Sequence, residues 1–93
     1  MRLIWSPASE TDRINIFRHI AADNPSAAFA LEELIEERAG QLLDFPEMGC
    51  PGTLPDTREL SVHPNYRLVY ELVGDDVHIL DVAHTHGISR KSK

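Results

Sequence analysis

Residues 57–83 read TRELSVHPNYRLVYELVGDDVHILDVA, and this stretch decides the fold. Arg58, Leu60 and Val62 alternate with Glu59 and Ser61, the period-2 pattern of a half-buried strand. His63-Pro64-Asn65 and Gly74-Asp75-Asp76 are turn sequences. Between and after them lie Tyr66–Leu72 and Val77–Ala83, both rich in β-branched and aromatic residues. Two tight turns between three such runs predict consecutive antiparallel strands near Thr57–Val62, Tyr66–Leu72 and Val77–Ala83.

Upstream the period is helical. Ser6-Pro7 and Asn24-Pro25 each pair an N-cap residue with a proline suited to the first helical position, predicting helices over Pro7–Asp23 and Pro25–Asp44. Ile14, Phe17 and Ile20 are expected on the buried face of the first helix. Glu10, Asp12, Arg13 and Arg18 are left for solvent. Ala28, Leu31, Leu34, Ile35, Leu42 and Leu43 form the stripe of the second. The Asp23-Asn24 break is short enough to make the two helices an antiparallel hairpin. The apolar run Leu3-Ile4-Trp5 reads as a strand over Arg2–Trp5, buried on both faces. Phe45–Gly52, with Pro46, Gly49, Pro51 and Gly52, is expected to be irregular. The order is β-α-α-β-β-β: an α+β fold, a helical hairpin on a small antiparallel sheet, as a single domain over 1–93 with a flexible basic tail over 84–93. Trp5, Phe17, Leu31, Ile35, Leu42, Phe45, Leu68, Tyr70 and Ile79 are the expected core.

Composition narrows the function. Nine basic against 15 acidic residues give a net charge of −6, which argues against a protein that coats nucleic acid by charge alone. No apolar run approaches the length of a membrane helix, and the N-terminus lacks a signal-peptide pattern, so a cytoplasmic location is expected. One cysteine, Cys50, excludes an internal disulfide and any multi-cysteine zinc site. Gly49 and Gly52 do not build a phosphate loop, and no cofactor is implied.

Six blocks then stand in one order: Trp5-Ser6-Pro7-Ala8; Ile20-Ala21 with Asn24-Pro25; Leu43-Asp44-Phe45-Pro46 with Met48-Gly49; Thr57-Arg58-Glu59-Leu60; Tyr66-Arg67-Leu68-Val69-Tyr70; and Ile79-Leu80-Asp81-Val82-Ala83-His84. Together they resemble the RelE/ParE superfamily of toxins from bacterial type II toxin–antitoxin pairs, from Leu3 to about His84. The resemblance implies a helical hairpin on a small antiparallel sheet and a cognate antitoxin whose extended or helical tail wraps the toxin in a hetero-oligomer. It also implies one of two activities. RelE-like members cut mRNA on the ribosome; ParE-like members poison DNA gyrase and have no known catalytic constellation.

The residues favour the ParE-like branch. Cleavage through a 2′-hydroxyl needs a base, an acid and cations for the phosphorane charge. The region Thr57–Ala83 offers only Arg58 and Arg67, and no tyrosine follows Tyr70. No catalytic residue is therefore assigned. Were the chain a nuclease, His84, His86 and Arg67 would be the set. Paired imidazoles at His84 and His86 near Asp81 lack a third firm metal ligand, so no metal site is assigned. Arg58, Arg67, Tyr66, Tyr70 and His84 are the candidate partner-binding residues. For Arg58 the competing role is to anchor the preceding loop; for Arg67 it is to stack on Tyr66 or Tyr70, or simply to be solvated. Glu32, Glu33, Glu36 and Glu37 read as a solvated acidic face. The expected partners are an antitoxin and gyrase. The other readings are ribosome-dependent mRNA cleavage and a non-toxic interaction domain.

Overall fold

The computed structural model describes residues 1–84. The chain runs β1 (Leu3–Trp5), α1 (Pro7–Ala21), α2 (Pro25–Gln41), β2 (Cys50–Pro51), β3 (Thr57–His63), β4 (Tyr66–Val73) and β5 (Asp76–His84). Two helices pack on a five-stranded sheet of order β1-β5-β4-β3-β2. His86 and most of the basic tail, residues 85–93, lie outside the described residues.

Both helix starts follow from their caps. The Ser6 hydroxyl accepts from the Ser9 amide at 3.0 Å, and Asn24 Oδ1 accepts from the Ala27 amide at 3.1 Å. α1 stops at Ala21 rather than Asp23 because Asn24 leaves helical geometry to cap α2; its amide still reaches the Ile20 carbonyl at 2.8 Å. α2 stops at Gln41 rather than Asp44. Beyond it the amides of Leu42, Leu43 and Asp44 each reach a carbonyl three residues back at 3.1 Å, the tightened turn that often finishes a helix.

The sheet is mixed. β2 to β5 pair antiparallel, as the turns dictate, but β1 lies parallel to β5 with Leu3 opposite Val77 and Trp5 opposite Ile79. No turn joins β1 to a strand neighbour, so hairpin logic does not set its direction. β1 is an edge strand and its three residues are only half-buried, not enclosed on both faces. The expected irregular segment contains the short strand β2, whose Cys50 and Pro51 pair with Glu59 and Arg58. An edge position tolerates a proline there.

β5 carries a bulge. Val69 faces Asp81 and Tyr70 faces Ile79, leaving Leu80 as the extra residue. α1 satisfies the groups this frees. The Ser6 hydroxyl donates to the Leu80 carbonyl at 2.9 Å, and Asp12 Oδ2 accepts from the Val82 amide at 3.0 Å. One hydroxyl thus caps a helix and closes a bulge. Ser6→Ala is expected to lower stability by about 1–2 kcal/mol, the upper range for an N-cap, read as a shift in the urea midpoint.

The core lies between α2 and the sheet: Leu31, Ile35, Ala39 and Leu42 against Leu60, Val62, Leu68, Tyr70, Val77, Ile79 and Val82. α1 adds Ile16 and Ile20, not the expected Ile14–Phe17–Ile20 face. Ile14 and Phe45 are exposed, and Phe17 and Trp5 are half-buried. Asp12 and Arg13, expected in solvent, are half-buried and engaged.

At the start of β1, Arg2 meets Asp76 through its guanidinium at 2.9 Å and its amide at 3.1 Å. The Arg2 hydrogen bond holds the Asp76 carboxyl below the ordinary carboxylate range. The contribution of this pair is present at neutral pH and is lost as pH falls through the lowered value. In an NMR titration, Arg2→Ala should return Asp76 upward toward its ordinary value. Among the described residues no helix is long and apolar enough to cross a membrane.

Candidate functional site

Arg58 and Tyr70 face each other across β3 and β4, and both turn toward the segment before β2. Tyr70 Oη donates to the Pro46 carbonyl at 2.8 Å and accepts from the Gly49 amide at 3.0 Å. Arg58 Nη2 donates to the carbonyls of Glu47 at 3.0 Å and Gly49 at 2.7 Å. Met48 packs on the core between these anchors. Gly49 is required by the close approach: a Cβ there would lie 2.7 Å from the Glu59 carbonyl oxygen and 2.8 Å from Tyr70 Oη. Of the candidate partner-binding residues, Tyr70 is fully buried and offers a partner no surface. Arg58 holds the loop by carbonyls, the second of its two readings.

Arg67 lies elsewhere. Its Nε is 3.0 Å from Glu59 Oε1 on the neighbouring strand, an ion pair rather than a stack on tyrosine. Tyr66 is opposite His84 in the β4–β5 register, with ring centroids 5.2 Å apart edge to face, and His63 stands 5.9 Å from Tyr66. Alternation along β4 and β5 places Tyr66 and His84 on the helix-facing side of the sheet, with Arg67 and Ala83 on the other. The structure therefore separates Arg67 from His84 by the thickness of the sheet.

The helical hairpin carries a surface that residue patterning did not single out. Ile14, Phe17 and Phe29 line an apolar groove of about 560 Å³ between α1 and α2, rimmed by Glu10, Arg13, Arg18 and Glu32. Phe17 and Phe29 meet edge to face at 4.9 Å, and Ile14 and Phe29 are 53% and 61% exposed. The available signal was Phe29 itself, a large apolar residue off the Ala28–Leu31–Ile35 stripe. Arg13 lines one end of the rim. It sits 4.3 Å over the Trp5 ring and pairs with Glu32 and Glu36. Burial works against its charge, but the two carboxylates outweigh this and raise its pKa above the ordinary arginine value. The acidic face of α2 is thus partly neutralised from within, and Glu33 and Glu37 remain exposed.

A protein of Sinorhizobium fredii (strain NBRC 101917 / NGR234) named "Putative toxin Y4kP" is 29% identical over 85 residues, covering 91% of this chain and 88% of that protein. The fold is similar to a solved chain described as "Chromosomal ParDE TA system from P. aeruginosa", with a TM-score of 0.81 and 22% identity over 90% of this chain and 95% of that one. It is less similar to the conserved hypothetical protein HP0894 from Helicobacter pylori, with a TM-score of 0.56 and 18% identity over 92% and 96% of the two chains. Residues 3–88 match the family described as "ParE toxin of type II toxin-antitoxin system, parDE". With nearly its whole length inside that match, and with two helices on a five-stranded mixed sheet, this chain belongs to the ParE toxin family of type II toxin–antitoxin systems.

Proposed function

We propose that this ParE-type toxin acts by binding, with DNA gyrase as its target, and that a cognate antitoxin neutralises it by covering the groove of the helical hairpin. The observation that carries the non-nuclease reading is the disposition of the sheet's cations. A phosphoryl-transfer site needs fixed cations beside its acid and base. Here Arg58 is turned to loop carbonyls, and Arg67 pairs with Glu59 on the face opposite His84. The net charge of −6 also opposes long-range approach to ribosomal RNA. For the antitoxin, the support is the exposed Ile14 and Phe29, the kind of apolar groove into which an amphipathic helix lays its anchors. The short edge strands β1 and β2 leave backbone groups to which a partner strand can add.

One observation favours ribosome-dependent mRNA cleavage instead. The His63, Tyr66 and His84 rings gather at one end of the sheet, where bases could stack. The two readings separate on induction in bacteria, with mRNA ends and DNA breaks mapped together and gyrase supercoiling assayed with purified toxin. The binding reading expects gyrase-dependent breaks and inhibited supercoiling, both retained in a His84→Ala/His86→Ala/Arg67→Ala variant. Codon-phased mRNA cuts by the parent that disappear in this variant would establish the nuclease reading.

A further inference from the structure

Four charges rim the hairpin groove, and two of them pair with each other: Arg13 with Glu32. The other two, Glu10 and Arg18, are exposed and make no ion pair among the described residues. Both lie on α1, four residues before and four residues after Ile14. The three side chains therefore form one row along the helix, with a spacing of about 6 Å. Ile14, at the centre of the row, is 53% exposed, and Phe17 and the exposed Phe29 lie beside it.

A row that reads acid, isoleucine, base is its own complement when reversed. Lay a second α1 antiparallel on the first, about a two-fold axis at Ile14. Residues equally far before and after position 14 then meet across the contact. Ile14 meets Ile14, and Glu10 meets the other copy's Arg18 twice over. The intervening positions also fit: Thr11 falls opposite the Phe17 ring, Pro7 opposite the small Ala21, and Arg13 opposite Asn15. No like charges are opposed along α1. A parallel arrangement would set Glu10 on Glu10 and Arg18 on Arg18, so charge selects the antiparallel one.

We propose that the free toxin pairs with a second copy of itself through this groove, α1 against α1 in antiparallel sense, with Ile14 on the two-fold axis. The exposed apolar surface is thereby covered when no antitoxin is present. The contact is isologous and closed, so association stops at two. It is also small, which makes the dimer transient, with a Kd on the order of micromolar or weaker. The pairing uses the surface proposed for the antitoxin but does not rest on that reading. Where both hold they compete: an antitoxin must part the pair, and its apparent affinity falls as the toxin concentration rises past the dimer Kd.

Sedimentation equilibrium of the purified full chain reads the pairing, with reductant present because Cys50 is exposed. The parent should pass from monomer to dimer as its concentration rises, and Ile14→Glu should remain a monomer. Glu10→Arg and Arg18→Glu each set like charges at both ends of the contact, and each should weaken self-association by roughly 10-fold. An equimolar mixture of these two variants should recover the parent's affinity, because one copy then brings two arginines and the other two glutamates. Net charge alone predicts a different outcome: Glu10→Arg moves this acidic chain toward neutrality and would associate more tightly than the parent. The mixture leaves the apolar centre unchanged, so it tests the register whether or not Ile14→Glu disturbs the fold. A parent that stays monomeric up to roughly 0.5 mM, a mixture no tighter than its components, or a dimer that survives in folded Ile14→Glu would each overturn the proposal. None of these results touches the antitoxin reading, which is tested on the complex.

Discussion

Gly49→Ala is expected to lower the stability of the toxin by about 3 kcal/mol, since overpacking a closed site costs roughly 1–3 kcal/mol and a broken buried hydrogen bond a further ~1–3 kcal/mol. The added methyl would stand 2.7 Å from the backbone oxygen of Glu59, which the β3–β4 ladder holds in place, and 2.8 Å from Tyr70 Oη. Neither neighbour is the free end of a flexible side chain. Relief requires the loop to lift, and lifting parts the Gly49 amide from Tyr70 and the Gly49 carbonyl from Arg58. In a domain of this size such a loss moves the melting temperature by more than about 10 °C. Tyr70→Phe strips both the Pro46 carbonyl and the Gly49 amide of their partner, and about 1–3 kcal/mol is expected. The two substitutions act on one latch, so their combination should cost clearly less than their sum. Thermal and urea melts of the two single variants and the double variant measure this. Additive losses, or a Gly49→Ala loss below about 0.5 kcal/mol, the range of ordinary surface changes, would contradict the latch.

The second large effect is on binding. Phe29→Glu should weaken the complex with the co-encoded antitoxin by at least roughly 30-fold, the equivalent of the ~2 kcal/mol that marks an interface hot spot. Phe29 is an exposed aromatic braced by Phe17 at 4.9 Å, with Ile14 completing the apolar floor. A carboxylate placed there would lose its water when covered and would lie near Glu10 and Glu32 on the groove rim. Fold stability should change little, because the ring is mostly in solvent in the free toxin. Val73→Glu is the control: another exposed apolar residue, at the end of β4 and outside the groove, with no expected effect on affinity. Titration calorimetry with the two variants decides the point. An unchanged Kd for Phe29→Glu would move the antitoxin to another surface, such as the sheet edges, and would leave the family assignment intact.

The local parts of this protein were written in its sequence. Ser6-Pro7 and Asn24-Pro25 set both helix starts, because a cap and a proline act within one turn of the chain. The turns at His63–Asn65 and Gly74–Asp76 fixed three strands, because antiparallel register follows from a tight turn and period-2 alternation. The six blocks, in their order along the chain, carry the resemblance to the toxin family by themselves. The decisions left to the tertiary structure all concern groups that meet across long stretches of chain. The parallel seat of β1 on β5 depends on pairing across more than seventy residues, with no turn to guide it. Asp12 and Arg13 read as solvent-facing until β5 and α2 bring them a freed amide and two carboxylates. Tyr70 reads as partner-binding until the loop folds onto it, and of the two roles the sequence leaves open for Arg58 the folded loop supplies the carbonyls of the anchoring one. Phe45 and Ile14 read as core, yet one falls in a loop and the other on the outer side of the hairpin. Periodicity states that a residue has a face; which neighbour that face meets is settled only when the layers pack.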